Sequence, residues 1–355
     1  MSRAGLFSGT VTESAPADNA PTTKHKGHHW MQYGVEAPIA TDFRMVFRTA
    51  VDNDSIWLPL WVGAAYNFEV NWGDGTSDTI TTYDQAETTH EYATAGDYVV
   101  SIVGQCEGWI FNDIGEPTNS KDKIIEVQNW GSVGFKSTFV EGAFKGCPNV
   151  IVTATDAPDL SLVTSLEQFF NGCHSLTGDF SNWNTSTITN MRSLFQDCDI
   201  WNGDLPWNTS NVIDMEFMFL RAAAFNGNIS TLDTGNVLNM HSMFQEADAF
   251  NSDISGWDVS KVTTMENMFA VASIFNQDIS AWNVASATNM YFMLSSSAFS
   301  TANYDLLLNA WSSLAVQSGA FFSTDAQYTI ATSQAARDIL TDPPNSWTIG
   351  DGGGI

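Results

Sequence analysis

Basic side chains are scarce: 13 Lys and Arg stand against 40 Asp and Glu in 355 residues, a formal charge of −27. Nucleic-acid binding needs a basic footprint, and docking on anionic lipid needs clustered Lys and Arg. Neither nucleic acid nor membrane insertion is expected. Long apolar runs are also missing, and no stretch approaches the eighteen or so residues of a membrane span. The segment Met1 to Thr10 lacks the apolar core of a signal peptide, and no lipoprotein cysteine follows it. Cys occurs only four times, which does not make a disulfide framework. Catalytic signatures are absent: there is no G-x-S-x-G, H-E-x-x-H, G-x-x-x-x-G-K-[ST] or G-x-G-x-x-G. The six His are scattered. Those at His25, His28 and His29 lie among lysines, with no carboxylate or Cys to complete a metal site. The chain therefore reads as non-enzymatic, with no cofactor. The distant alternative is a carbohydrate-active enzyme, which would need two carboxylates in one cleft.

What is there is a period. Phe144, Phe170, Phe195, Phe219, Phe244 and Phe269 recur at steps of 24 to 26 residues, followed by Leu294. Leu166, Met191, Met215, Met240, Met265 and Met290 keep the same step, as do Trp183, Trp207, Leu232, Trp257 and Trp282. A fixed period in this range marks a solenoid whose units bury their apolar faces against neighbours. Within one unit, Met265, Met268, Phe269 and Ala272 fall at i, i+3, i+4 and i+7, which predicts a short helix. Ile279 and Trp282 bracket a short strand. The expected unit is a helical turn or two plus a strand, stacked into a narrow parallel sheet.

Three further columns run through the repeats. Cys147, Cys173 and Cys198 continue as Ala222, Ala247, Ala272 and Ser297. A buried slot for a small side chain fits all seven, whereas a metal or disulfide fits only the cysteines. Asn202, Asn226, Asn251 and Asn276 follow the second aromatic of each unit, where a side-chain amide can bond the next coil. Asp179, Asp204, Asn228, Asp253 and Asp278 form an acidic column. Stacked carboxylates either face water or share a cation. Solvation is the preferred reading, and calcium on Asp204, Asp253 and Asp278 the alternative.

At these columns the segment Phe250 to Trp282 is similar to the BspA-like leucine-rich repeat of bacterial surface proteins, also seen in mycoplasmal lipoproteins and phage-encoded proteins. The resemblance covers about residues 124–293, and it implies an adhesive or scaffolding surface. Residues 135–150 keep Phe144 and Gly146-Cys147 but no Trp, as an atypical capping unit would.

Upstream, "FRMVFRT", "YNFEVNWGD" and "GDYVVSIVG" alternate with period two, as strands do. Trp72-Gly73-Asp74-Gly75, His90-Glu91-Tyr92 and Gly96-Asp97-Tyr98 together resemble the polycystic kidney disease (PKD) domain. That resemblance implies an immunoglobulin-like β-sandwich in which Trp72, Asp74, Gly75, His90 and Tyr92 are core or turn residues. Downstream, Tyr304 to Leu314 and Ser333 to Leu340 predict helices, and Trp347 to Ile349 a strand. "WTIGDGG" resembles the tails of BspA-like proteins.

The expected fold is mixed. Its parts are an N-terminal arm (1–41), a PKD-like β-sandwich (42–115), an α/β leucine-rich-repeat solenoid of short helices and a parallel sheet (116–298), and an α/β cap (299–355). The arm has no apolar period and cannot offset its own ordering entropy. It is therefore expected to dock on other virion or surface proteins. The expected role is a phage fibre, spike or capsid decoration at the virion surface, contacting a host-surface protein or glycan. The alternative is an extracellular adhesin on a bacterial cell surface. Homo-oligomerisation fits either.

Overall fold

The computed structural model describes residues 41–111, 118–136 and 140–355. The expected arm, apart from Thr41, lies outside the described residues.

The first strands follow from alternation. In β1 (Phe43–Thr49), Phe43, Met45 and Phe47 are buried; in β3 (Tyr66–Asn71), Tyr66, Phe68 and Val70 are. Between and after them come β2 (Asp54–Trp57), β4 (Ser77–Ile80), β5 (Thr89–Tyr92) and the long β6 (Gly96–Cys106). A short helix, α1 (Ser120–Lys123), leads into β7 (Ile124–Asn129), followed by β8 (Gly134–Lys136), β9 (Ile151–Val152) and β10 (Asp159–Leu162). Six strands form one sheet in the order β4-β3-β6-β1-β7-β9. It is mixed, since β7 pairs antiparallel with β1 and parallel with β9.

The expected immunoglobulin-like sandwich is not formed. Besides the six-stranded sheet, this region holds only a two-stranded sheet of β2 and β5. Moreover, β1 offers its second edge to β7, so the large sheet runs on into the first repeats. An edge that a free-standing sandwich would have to protect is instead paired. One buried apolar cluster extends from Phe43 to Trp347.

The repeats also differ from expectation: the helix-and-sheet solenoid is overturned. Among the described residues the α-helices are α1, α2 (Thr301–Trp311) and α3 (Ile330–Thr341), none of them inside a repeat. Residues 165–288 hold turns and isolated parallel bridges at Ser165, Asn190, Asp214, Asn239 and Thr264, the last of them onto Asn289 at the start of the next strand. The reason lies in where the amides go. Met268, Ala270 and Ala272 donate to the carbonyls three residues back, as overlapping β-turns do. The amides between them, at Met265, Asn267, Phe269 and Val271, donate to Asn289, Tyr291, Met293 and Ser295 of the next unit at 2.8–2.9 Å. A helix would send all of them four residues back. The turns require positive φ at two residues of most units, such as Ser242 and Glu246 (52° and 58°) or Asn267 and Val271 (56° and 61°).

A left-handed conformation costs a non-glycine residue about 1–2 kcal/mol, and a β-branched one is an outlier there. Early units place Gly146 and Gly172 where later ones have Asp197, Arg221, Glu246 and Val271. Val271→Gly is therefore expected to stabilise the protein. The gain is capped near 1 kcal/mol because glycine gives back about 0.5–1 kcal/mol in unfolded-chain entropy. The urea midpoint should rise at constant m-value; a fall would mean that the left-handed geometry at Val271 is not strained.

Aromatic rings fill the stack. Phe219, Phe244 and Phe269 lie parallel at centroid spacings of 5.4 and 5.7 Å. A second file, Trp201, Phe225, Phe250 and Phe275, runs beside them at 5.5–6.0 Å.

The C-terminal end closes with a parallel sheet of β11 (Asn289–Leu294), β12 (Phe321–Thr324) and β13 (Thr348–Gly350), backed by α2 and α3. Ser300 caps α2 by accepting from the Asn303 amide. Helix α3 begins three residues before Ser333, which is instead buried within it. Asp351 ties these pieces together, with its side chain only 5% exposed. It accepts from Tyr304 Oη at 2.8 Å, Arg337 Nε at 2.7 Å and the Gly353 amide at 3.2 Å.

Candidate interaction face

The columns named from the sequence divide into an interior set and a surface set. Phe195, Phe219, Phe244, Phe269, Trp183, Trp207, Trp257 and Trp282 are all buried. The Trp207, Trp257 and Trp282 indoles donate to carbonyls of the preceding unit, Phe180, Ile229 and Ile254. Cys147, Cys173 and Cys198 are buried, and none of them is in a disulfide. The Cys173 and Cys198 sulfurs lie 3.1 Å from the Phe144 and Phe170 carbonyls, and burial raises both thiols above their ordinary range. The asparagines build a continuous side-chain ladder. The amides of Asn226, Asn251, Asn276 and Ser300 donate to Oδ1 of Asn202, Asn226, Asn251 and Asn276 at 2.7–2.9 Å.

The acidic column is occupied with backbone. Asp204 Oδ1 accepts from the Asn228 amide, Asp253 Oδ1 from Ser255 and Asp278 Oδ1 from Ser280. The Ser255 amide and hydroxyl hold the Asp253 carboxyl below the usual range. Among the described residues, no three His, Cys, Asp or Glu side chains converge as metal ligands. Nor is any described helix long and apolar enough to cross a membrane.

In the upstream sheets, Trp72, Asp74, His90 and Tyr92 form one cluster. The His90 ring stacks on Trp72 at 4.6 Å and meets Asp74 Oδ2 at 2.8 Å. Tyr92 Oη donates to the Trp72 carbonyl, and Asp74 Oδ1 accepts from the amide and hydroxyl of Thr76. Gly75 takes a φ of 97° that closes this turn. Burial works to raise the Asp74 carboxyl, but Thr76 and His90 outweigh it and bring it down to about 2. A depressed carboxyl stabilises the fold above its unfolded value of about 3.9. That stability is lost as pH falls toward the folded value. Asp74→Asn should therefore flatten the acid limb between about pH 4 and pH 2. Urea midpoints across that window measure it, and an unchanged slope would remove Asp74 from acid unfolding.

The surface set was not singled out from the sequence. Two residues before each column Met lies an outward position: Thr189, Ile213, Leu238, Thr263 and Thr288. These are linked by backbone bonds, each amide donating to the preceding member's carbonyl, from Thr189 onto Thr164 through to Phe321 onto Thr288. Ile213 is 47% exposed, Leu238 44% and Phe321 49%. On one side runs a polar file, Asn211, Asn236 and Lys261, in which Lys261 Nζ donates to Asn236 Oδ1 at 2.6 Å. With Thr189, Ile213 and Leu238 it lines a groove of about 450 Å³. On the other side runs a file of polar and charged side chains, Arg192, Glu216, His241 and Glu266, that ends in Tyr291. Glu216 meets Arg192 at 3.0 Å and His241 at 3.2 Å. Glu266 Oε2 accepts from Asn289 Nδ2 at 2.8 Å. A second groove, of about 560 Å³, is lined by Glu266, Thr288, Asn289, Tyr291, Phe321 and Thr348. The signal that could have found this face is the period-two position beside Met, which swings between Thr and aliphatic residues. A buried strand position would not tolerate that swing.

A family model described as "Mycoplasma protein of unknown function, DUF285" matches residues 138–219 and 205–311, just under half the chain. No curated protein and no solved structure matches.

Proposed function

We propose that the protein is a non-enzymatic surface protein, a phage fibre, spike or capsid decoration, that binds host or neighbour through the face centred on Ile213, Leu238, Tyr291 and Phe321. The observation that carries this reading is one backbone-bonded column on which the exposed apolar side chains of Ile213, Leu238 and Phe321 stand among threonines, flanked by polar files. Exposed apolar side chains grouped on one face and rimmed by polar residues mark an interaction site. The carboxylates near it are engaged in ion pairs or side-chain hydrogen bonds, Glu216 with Arg192 and His241, Glu266 with Asn289. That commitment favours recognition over acid–base chemistry. Residues 1–41, with no apolar period, are the proposed anchor to the particle. A bacterial cell-surface adhesin would use the same face with a different anchor.

Two variants test the two halves. A fluorescently labelled full-length chain should bind the bacterial cells its particle recognises, and Leu238→Arg should abolish that binding without changing the thermal transition. Removing residues 1–41 should leave cell binding intact and prevent incorporation into particles. Equal binding by Leu238→Arg would discard the face, and normal incorporation of the truncated chain would discard the anchor.

A further inference from the structure

We infer that the groove between Tyr291 and Phe321 is a subsite for an uncharged saccharide, a short run of all-equatorial hexopyranose units such as β-1,4-linked glucose or N-acetylglucosamine. This deepens the binding-face reading and rests on it. The groove joins three strands: Asn289 and Tyr291 come from β11, Phe321 from β12 and Thr348 from β13, with Asn289, Phe321 and Thr348 in register across the sheet. Its volume of about 560 Å³ suits a small ligand, since such sites run from about 300 to 1,000 Å³.

The lining chemistry selects the ligand class. Tyr291 and Phe321 are 45% and 49% exposed, an unfavourable placement for aromatic surface unless something covers it. An aromatic face carries partial negative charge, so it attracts the axial C–H groups that all-equatorial pyranoses present on both faces. The exposed lining is mostly apolar, but Glu266, Thr288, Asn289 and Thr348 set polar groups into it, a mixture that suits a ligand with apolar faces and polar edges. Asn289 fixes the Glu266 carboxylate by one oxygen. Among the described residues Glu266 has no basic partner, so its remaining acceptor capacity is available to sugar hydroxyls. Thr288 and Thr348 add further hydroxyls. Charge decides between sugar classes: a chain with a formal charge of −27 and an uncompensated carboxylate in the groove repels anionic polysaccharide.

The test is calorimetric titration of the full chain with cellohexaose, with the hexamer of N-acetylglucosamine and with a heparin hexasaccharide. At least one of the uncharged oligomers should bind saturably, and heparin should not. Tyr291→Ala and Phe321→Ala should each weaken that binding about tenfold, the scale of one aromatic contact, with unchanged melting because both rings are exposed. Absence of saturable binding to both uncharged oligomers, or wild-type affinity in both aromatic variants, would overturn the inference. Cell binding that still depends on Leu238 while neither oligomer binds would also overturn it, leaving the face to a protein ligand.

Discussion

Phe244→Ala is expected to lower stability by about 3–5 kcal/mol, the range for emptying a well-packed aromatic site. The ring is fully buried, and parallel rings bound it on three sides: Phe219 at 5.4 Å, Phe269 at 5.7 Å and Phe250 at 3.8 Å. Collapse into the vacated space would need the units to approach one another. Their spacing is set by the Met240, Ser242, Phe244 and Glu246 amides, which donate to the next unit at 2.8–3.1 Å. The cavity therefore stays open, and the cost sits at the upper end of what lost burial alone would give. Phe321→Ala is the control, since an exposed ring far from such packing should shift stability by no more than about 0.5 kcal/mol. Denaturant unfolding of both variants decides the matter, and equal losses would show that the stacked rings do not carry the core.

Asp351→Ala should be strongly damaging, at about 3 kcal/mol or somewhat more. Removing one partner of a buried pair leaves a charge without its counterion, which costs about 3–5 kcal/mol when burial is complete. The lower figure applies because the Arg337 side chain is 21% exposed and keeps some water. The Tyr304 hydroxyl and the Gly353 amide also lose their acceptor. The double variant Asp351→Ala, Arg337→Met separates the contributions through a double-mutant cycle. It should recover part of the loss, because no stranded guanidinium remains. If it is no more stable than Asp351→Ala alone, the penalty does not come from the unpaired charge.

Much of the repeat region was legible because its period is written in the largest side chains. The steps of 24 to 26 residues between Phe144 and Phe269 reappear as amide bonds between adjacent units, such as Phe219 onto Met243. The local conformation was not legible. Met265, Met268, Phe269 and Ala272 satisfy a helical pattern, yet overlapping β-turns also bring every third or fourth side chain inward. The feature that separates the two is left-handed backbone at Arg221, Glu246 and Val271, residue types with no preference for it. Only Gly146 and Gly172 hinted at it. The upstream strands were readable from their alternation, but the partnership of β1 with β7 joins residues about 80 apart and leaves no local trace. The groove at Tyr291 escaped for the same reason: Phe321 reaches it through a sheet formed after the repeat pattern has ended.

The amide bonds between units lie along the stack, and this gives the protein a mechanical character. Load applied along that direction pulls on the bonds of one interface at a time, so the interfaces yield in succession. Each released unit frees about 25 residues, or roughly 80 Å of extended chain. The β1–β6 pairing is different: seven residues of β1 lie antiparallel along β6, and force along those strands must shear all their bonds together. Under tension the upstream sheet would hold while the repeats paid out in regular increments, a tether that lengthens stepwise before it lets go.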